Sequence, residues 1–221
     1  MGTTFFITGT DTGVGKTLVS AILGLALQKK RKSVGYFKPV ETGVEGDEPE
    51  DAGFCKAILG LKEDAKNLCS YTFKLPASPH LSAEVEGKEI KVEKILEDFE
   101  GFKNKYEFLL VEGAGGLLVP LRRDFLIRDL IKLLNIPVIL VARAGLGTIN
   151  HTLLSVEAIR NYGLELAGIV FNQATQPLTI IEKDNIKTLA ELTGAKVLGV
   201  IPKLKSISKE TLLKICEKLS I

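Results

Sequence analysis

The chain has 221 residues, 45% of them hydrophobic and 25% charged, and its 29 Lys and Arg against 27 Asp and Glu leave a formal charge of +2. That size and composition describe one globular domain with room for a core, and exclude disordered and collagen-like chains. So small a net charge gives no general electrostatic reason to expect nucleic acid or a membrane as partner. Cys55, Cys69 and Cys216 are an odd number without CxxC spacing, which suggests neither a disulfide framework nor a zinc site and fits a reducing cytoplasm. No Lys or Arg precedes Lys16, and the first apolar stretch is cut short at Thr8 and Gly9, so no signal peptide is expected. No run approaches the ~18 apolar residues of a membrane span.

Residues 5–7 read as a short buried strand, and residues 16–30 carry Leu18, Ala21, Ile22 and Leu25 on one helical face. The alternation then recurs. Strands are predicted over 34–37, 108–111, 138–142, 166–171 and 197–201; helices over 51–59, 127–134, 149–160, 179–192 and 209–219. Strands such as 138–141 are apolar at successive positions, the pattern of parallel strands covered on both faces, so the expected fold is an α/β doubly wound, mostly parallel sheet. Residues 39 to about 105 are expected to form an excursion with its own helices, including an amphipathic stretch over 92–102. The Lys-rich end of the chain reads as a helix with a solvated face.

After the first strand comes Gly9-Thr10-Asp11-Thr12-Gly13-Val14-Gly15-Lys16-Thr17, and its last three residues open the helix. This is the ending of a P-loop: backbone N–H groups and the helix N-terminus close around phosphates, the Lys reaches the β/γ-phosphates and the Thr holds Mg2+. The front departs from the pattern, since the usual Gly six residues before Lys16 is Thr10. A dinucleotide fingerprint fails because its third glycine position is Leu18, and the guanine-reading Asn-Lys-x-Asp run is missing after Asn172, so adenine is the expected base. Lys38, before Pro39, is expected where Pro39 stops the second strand, and Glu112 is expected to emerge beyond the strand at 108–111, beside Gly113-Ala114-Gly115-Gly116. Asp51 is the other expected magnesium carboxylate, with Asp47, Glu48 and Glu50 as rivals. The stretch Gly147-Thr148-Ile149-Asn150 precedes an apolar-periodic helix whose free N–H groups suit an anion, or is plainly capped by Thr148. His80 and His151 are isolated and make no metal site.

Together, GTDTGVGKT at 9–17, YFKPVETG at 36–43, PASPH at 76–80, VEGAGGLLVPL at 111–121, GTINH at 147–151 and VFNQ at 170–173 resemble the dethiobiotin synthetase family, in its order and over essentially the whole chain. In that family 7,8-diaminononanoate captures CO2 as a carbamate, the carbamate attacks the γ-phosphate of ATP, and the second amine closes the ureido ring with loss of phosphate. The resemblance implies a P-loop fold and a homodimer. It implies Lys38 and Lys16 as catalytic cations, and Thr42, Thr12 and Gly115 at the diamine. Gly147, Thr148 and Asn150 would take the substrate's distal carboxylate across the dimer interface. Nucleotide contacts fall to Gly13, Val14, Gly15, Lys16, Thr17, Leu18, Asp51, Glu112, Asn172, Gln173, Ile201, Pro202 and Lys203, and Mg2+ to Thr17, Asp51 and Glu112. Gly13 departs from an often acidic family position, which removes one acid/base group and leaves phosphate binding intact. The rival reading is an ATP-switch protein of the partitioning and nitrogenase-iron-protein type; those loops carry a signature Lys five residues before the invariant one, and here that residue is Asp11.

Overall fold

The structure, a computed structural model, describes residues 3–46 and 48–220, so Asp47 lies outside the described residues. The strands are β1 (Thr3–Gly9), β2 (Val34–Thr42), β3 (Cys69–Phe73), β4 (Phe108–Gly116), β5 (Pro120–Arg122), β6 (Phe125–Leu126), β7 (Val138–Arg143), β8 (Leu166–Ala174) and β9 (Val197–Pro202). The helices are α1 (Lys16–Lys29), α2 (Glu50–Leu59), α3 (Pro79–Val85), α4 (Val92–Lys105), α5 (Ile127–Leu134), α6 (Thr148–Asn161), α7 (Ile180–Thr193) and α8 (Lys209–Cys216). Seven strands form one sheet in the order β3-β2-β4-β1-β7-β8-β9, with every pairing parallel, while β5 and β6 make a small hairpin. This is the expected α/β doubly wound architecture in a single domain.

The apolar runs divide residue by residue between two cores, because successive side chains of a strand point to opposite faces. Phe6, Leu109, Val111, Val138, Leu140 and Phe171 pack on one face with Phe99 of α4, Leu130 of α5, Ile159 of α6 and Leu189 of α7. Ile7, Leu110, Ile139, Val141 and Val170 pack on the other with α1, α2 and α8. Truncating a core phenyl such as Phe171, fully buried, would cost about 3–5 kcal/mol.

Four sequence expectations are corrected. Pro39 does not stop β2: the strand changes partner there, pairing with β4 through Phe37 and with β3 from Lys38 onward. A residue without an N–H is tolerated where the ladder passes from one neighbour to the other. β4 likewise runs on to Gly116, so Glu112 lies within a strand and is fully buried instead of emerging beyond it. The excursion after Pro39 supplies helices α2, α3 and α4 but also the edge strand β3, whose largely half-buried Cys69-Ser70-Tyr71-Thr72-Phe73 gives no continuous apolar signal. At the chain's end α8 stops at Cys216, short of residue 219.

Candidate functional site

The loop between β1 and α1 opens the site. Gly15 is the N-cap of α1 at φ 90 and no side chain caps the helix, which leaves first-turn N–H groups open toward the cleft. The tip of β8 holds the loop from behind: Asn172 Nδ2 donates to the Val14 carbonyl at 2.8 Å and Gln173 Nε2 to the Gly13 carbonyl at 2.9 Å. A Cβ on Gly15 would stand 2.1 Å from Asn172 Nδ2, so only glycine fits there, by its left-handed backbone and by contact. Gly13 is also left-handed, at φ 71, with the Arg143 guanidinium nearby.

Lys16 is 8% exposed, with its ammonium 3.5 Å from the Asp11 carbonyl. Burial pulls its pKa below the usual lysine value even though Glu112, Asp51 and Asp11 oppose that shift. A phosphate at the loop would supply the missing negative charge.

Glu112 is the hub. Its Oε1 accepts from the Thr17 hydroxyl at 2.8 Å and from Lys38 Nζ at 2.9 Å; its Oε2 accepts from the Ser20 hydroxyl at 2.9 Å and the Tyr36 hydroxyl at 3.0 Å. A fully buried carboxylate is tolerable only with such complete pairing. Lys38, 4% exposed, bridges Glu112 to the Asp51 carboxylate. Burial alone would lower the Lys38 pKa, but Glu112, Asp51 and Glu41 together raise it, so it stays an ammonium across ordinary pH. Burial would raise the Asp51 carboxyl; the Lys38 charge and hydrogen bond, with Thr17 and Lys16, bring it below its usual value instead. Asp51 is in place because Glu41 accepts from its backbone N–H at 2.8 Å and from that of Ala52 at 3.2 Å.

These groups line a cleft of about 340 Å3 that gathers Thr12, Gly13, Gly15, Lys16, Thr17, Lys38, Thr42, Asp51, Glu112 and Gly115, together with Glu41. Of the rival carboxylates, Glu48 and Glu50 are exposed and outside it. Val14 is buried in the core and Leu18 packs against it, so neither side chain lines the cleft. Ile201 is fully buried on the face that carries α1 and α8, which bars its side chain from a ligand. Pro202 lines a smaller depression with Ala174, Thr175 and Lys218, and the Lys203 N–H donates to the Ala174 carbonyl at 2.7 Å. Asn172 is 1% exposed and its Oδ1 has no partner. The start of α6 is apart from the cleft: Gly147 is the N-cap, no side chain caps the helix, and the Thr148 hydroxyl donates to the Arg143 carbonyl at 2.6 Å instead.

Sequence reasoning missed Ser20, Tyr36 and Glu41. Ser20 is four residues after Lys16 on one helix face and Tyr36 two before Lys38 on one strand face, so both spacings were available as signals.

A family model described as an AAA domain matches residues 3–211. The ATP-dependent dethiobiotin synthetase of Methanococcus vannielii is 45% identical over 197 residues, 89% of this chain and 92% of that protein. That of Clostridium perfringens is 39% identical over 97% of this chain and 96% of its own length. The chain belongs to the dethiobiotin synthetase family. Membership makes it an ATP-dependent enzyme of the ligase class. Among solved structures, the MinD cell division protein of Aquifex aeolicus superimposes with a TM-score of 0.58 over 98% of this chain and 88% of its own, at 18% identity. A ParA family ATPase from Chlorobium tepidum gives a TM-score of 0.58 at 13% identity, over 97% of this chain and 90% of its own. Those likenesses are of fold alone. No helix of the described residues is long and apolar enough to cross a membrane.

Proposed function

We propose that the chain converts 7,8-diaminononanoate, CO2 and ATP into dethiobiotin, ADP and phosphate through a carbamate and a carbamic–phosphoric anhydride. The observation that carries this reading is Lys38, a buried ammonium held between two carboxylates beside the P-loop lysine. A carbamate and a triphosphate are both anionic, and their approach needs fixed positive charge around the transferred phosphoryl group. Lys16 and Lys38 supply it. Lys38 does not act as a base, because its neighbours keep it protonated. Thr12, Thr42 and the Gly115 backbone line the same cleft and would hold the diamine end against the phosphates.

The donor set also fits Mg2+. Thr17, Asp51 and Glu112 offer only oxygen, the two carboxylates already face one cation in the Lys38 ammonium, and nucleotide oxygens and waters would complete the shell. The ion would neutralise phosphate charge as it develops.

A homodimer is part of the reading. The start of α6, with its first-turn N–H groups uncapped by a side chain, would receive the substrate's distal carboxylate from a neighbouring subunit. Support comes from an apolar surface beside it: Leu118 and Leu154 are exposed in one groove of about 370 Å3, and Leu146, just before α6, is 92% exposed. The mechanism is tested with oxygen-labelled CO2. If the carbamate oxygen attacks phosphorus and leaves with it, each product phosphate carries one labelled oxygen; unlabelled phosphate would rule the anhydride out.

A further inference from the structure

We infer that Glu41 is a positioning residue of the nucleotide site, whose carboxylate fixes the first turn of α2 and thereby sets where the Asp51 side chain meets Lys38 and an incoming metal ion. The inference deepens the proposed function and rests on its assignment of Asp51. The helix α2 begins at a proline N-cap, Pro49, which has no side-chain acceptor to offer, and no local side chain caps it. Its orphan N–H groups are met from another element: Glu41 of β2 accepts from Asp51 N with Oε1 and from Ala52 N with Oε2. A Ser or Asp at the N-cap would satisfy the same groups locally. The arrangement found does something a local cap cannot. It ties α2 to the strand that carries Lys38, so that the two members of the Lys38–Asp51 pair are held by one short stretch of β2.

Glu41 is only 4% exposed, and among the described residues it has no ion-pair partner of its own; its remaining contact is the Cys69 thiol, 3.7 Å from Oε2. Burial of the Glu41 carboxylate is costly; the nearby Lys38 charge offsets part of that cost without a direct ion pair, and the Asp51 and Ala52 N–H groups at the helix N-terminus supply the direct hydrogen-bonded compensation. A polar residue with the same shape would cap one N–H and face the other with a donor, so Gln is a graded substitution and Ala a complete one.

Outer partners of metal ligands typically change metal affinity by about 10–100-fold. The test measures the dissociation constant of ADP calorimetrically with Mg2+ in excess and with EDTA, for the wild-type chain, Glu41→Gln, Glu41→Ala and Asp51→Ala. The expected result is that Glu41→Ala lowers the Mg2+ enhancement of ADP binding about tenfold or more. Glu41→Gln should recover part of it, and metal-free affinity should stay within about twofold because the P-loop contacts are untouched. Full enhancement in Glu41→Ala with a loss in Asp51→Ala would overturn the role of Glu41 alone. Full enhancement in Asp51→Ala would overturn the assignment of Asp51 and the inference with it. Equal weakening of Glu41→Ala and Glu41→Gln with and without metal would mean a merely structural cap and would also overturn it.

Discussion

Replacing Lys38 by Ala separates the electrostatics of the fold from those of the reaction. The substitution removes the cation shared by Glu112 and Asp51. Breaking a buried pair from one side typically costs about 3–5 kcal/mol. The lower end, about 3 kcal/mol, is expected here: Glu112 keeps its bonds from Thr17, Ser20 and Tyr36, and the Asp51 side chain is 40% exposed and able to take up water. Against the usual stability of about 5–15 kcal/mol the chain should stay folded. Turnover should suffer far more, by about 10³–10⁵, the range for removing a cation that stabilises a transferring phosphoryl group. The pH dependence adds a sign. Asp51 titrates below its ordinary value of 3.8, so the stabilisation it draws from Lys38 is present above that pH and is lost as the pH falls through the lower, native value. Urea unfolding should therefore show the full gap between wild type and variant at neutral pH and a narrowing one below pH 3.8. A variant that keeps product formation within tenfold of wild type, or an unfolding gap that does not narrow in acid, would refute the reasoning.

Gly15→Ala should abolish nucleotide binding measured by calorimetry, since its Cβ meets Asn172 and the backbone is left-handed; adding Asn172→Gly should restore little, because the φ of 90 remains. Glu182, which holds the loop before α7 through Thr175 and Thr179, has its carboxyl lowered to about 2, chiefly by the Thr175 hydroxyl. Its stabilisation is present above 4.5 and lost as the pH falls toward 2, so Glu182→Gln should unfold more easily than wild type at neutral pH, with the difference fading in acid. Mixing Lys38→Ala with a subunit damaged at Gly147 or Asn150 should recover activity, since one heterodimer then holds one intact site; proven exchange without recovery would sink the shared site.

The sheet and its phosphate loop were legible because their signals are local: consecutive apolar residues fix parallel strands, and Gly15, Lys16 and Thr17 fix the strand-to-helix junction. What escaped depends on contacts distant in sequence. Pro39 looks like a terminator until β3 is known to take over the ladder. Glu112 looks like a strand-end carboxylate until Ser20 and Tyr36 are seen to satisfy its second oxygen. Glu41 gives no signal in its own neighbourhood, since the groups that it caps are contributed by α2. The start of α6 shows the opposite case: its sequence is plain, but within one chain it has no part in the cleft.

The central claim is that ATP is spent on joining a carbon to a diamine and not on switching a partner-binding state. The measurement that tests it most directly is ADP release by the purified chain with Mg2+, scored with and without 7,8-diaminononanoate and bicarbonate in all four combinations. The account predicts rapid ADP release only when both are present, with one dethiobiotin formed per ATP consumed. ATP hydrolysis that is indifferent to the diamine, or that proceeds at full rate without bicarbonate, would contradict it.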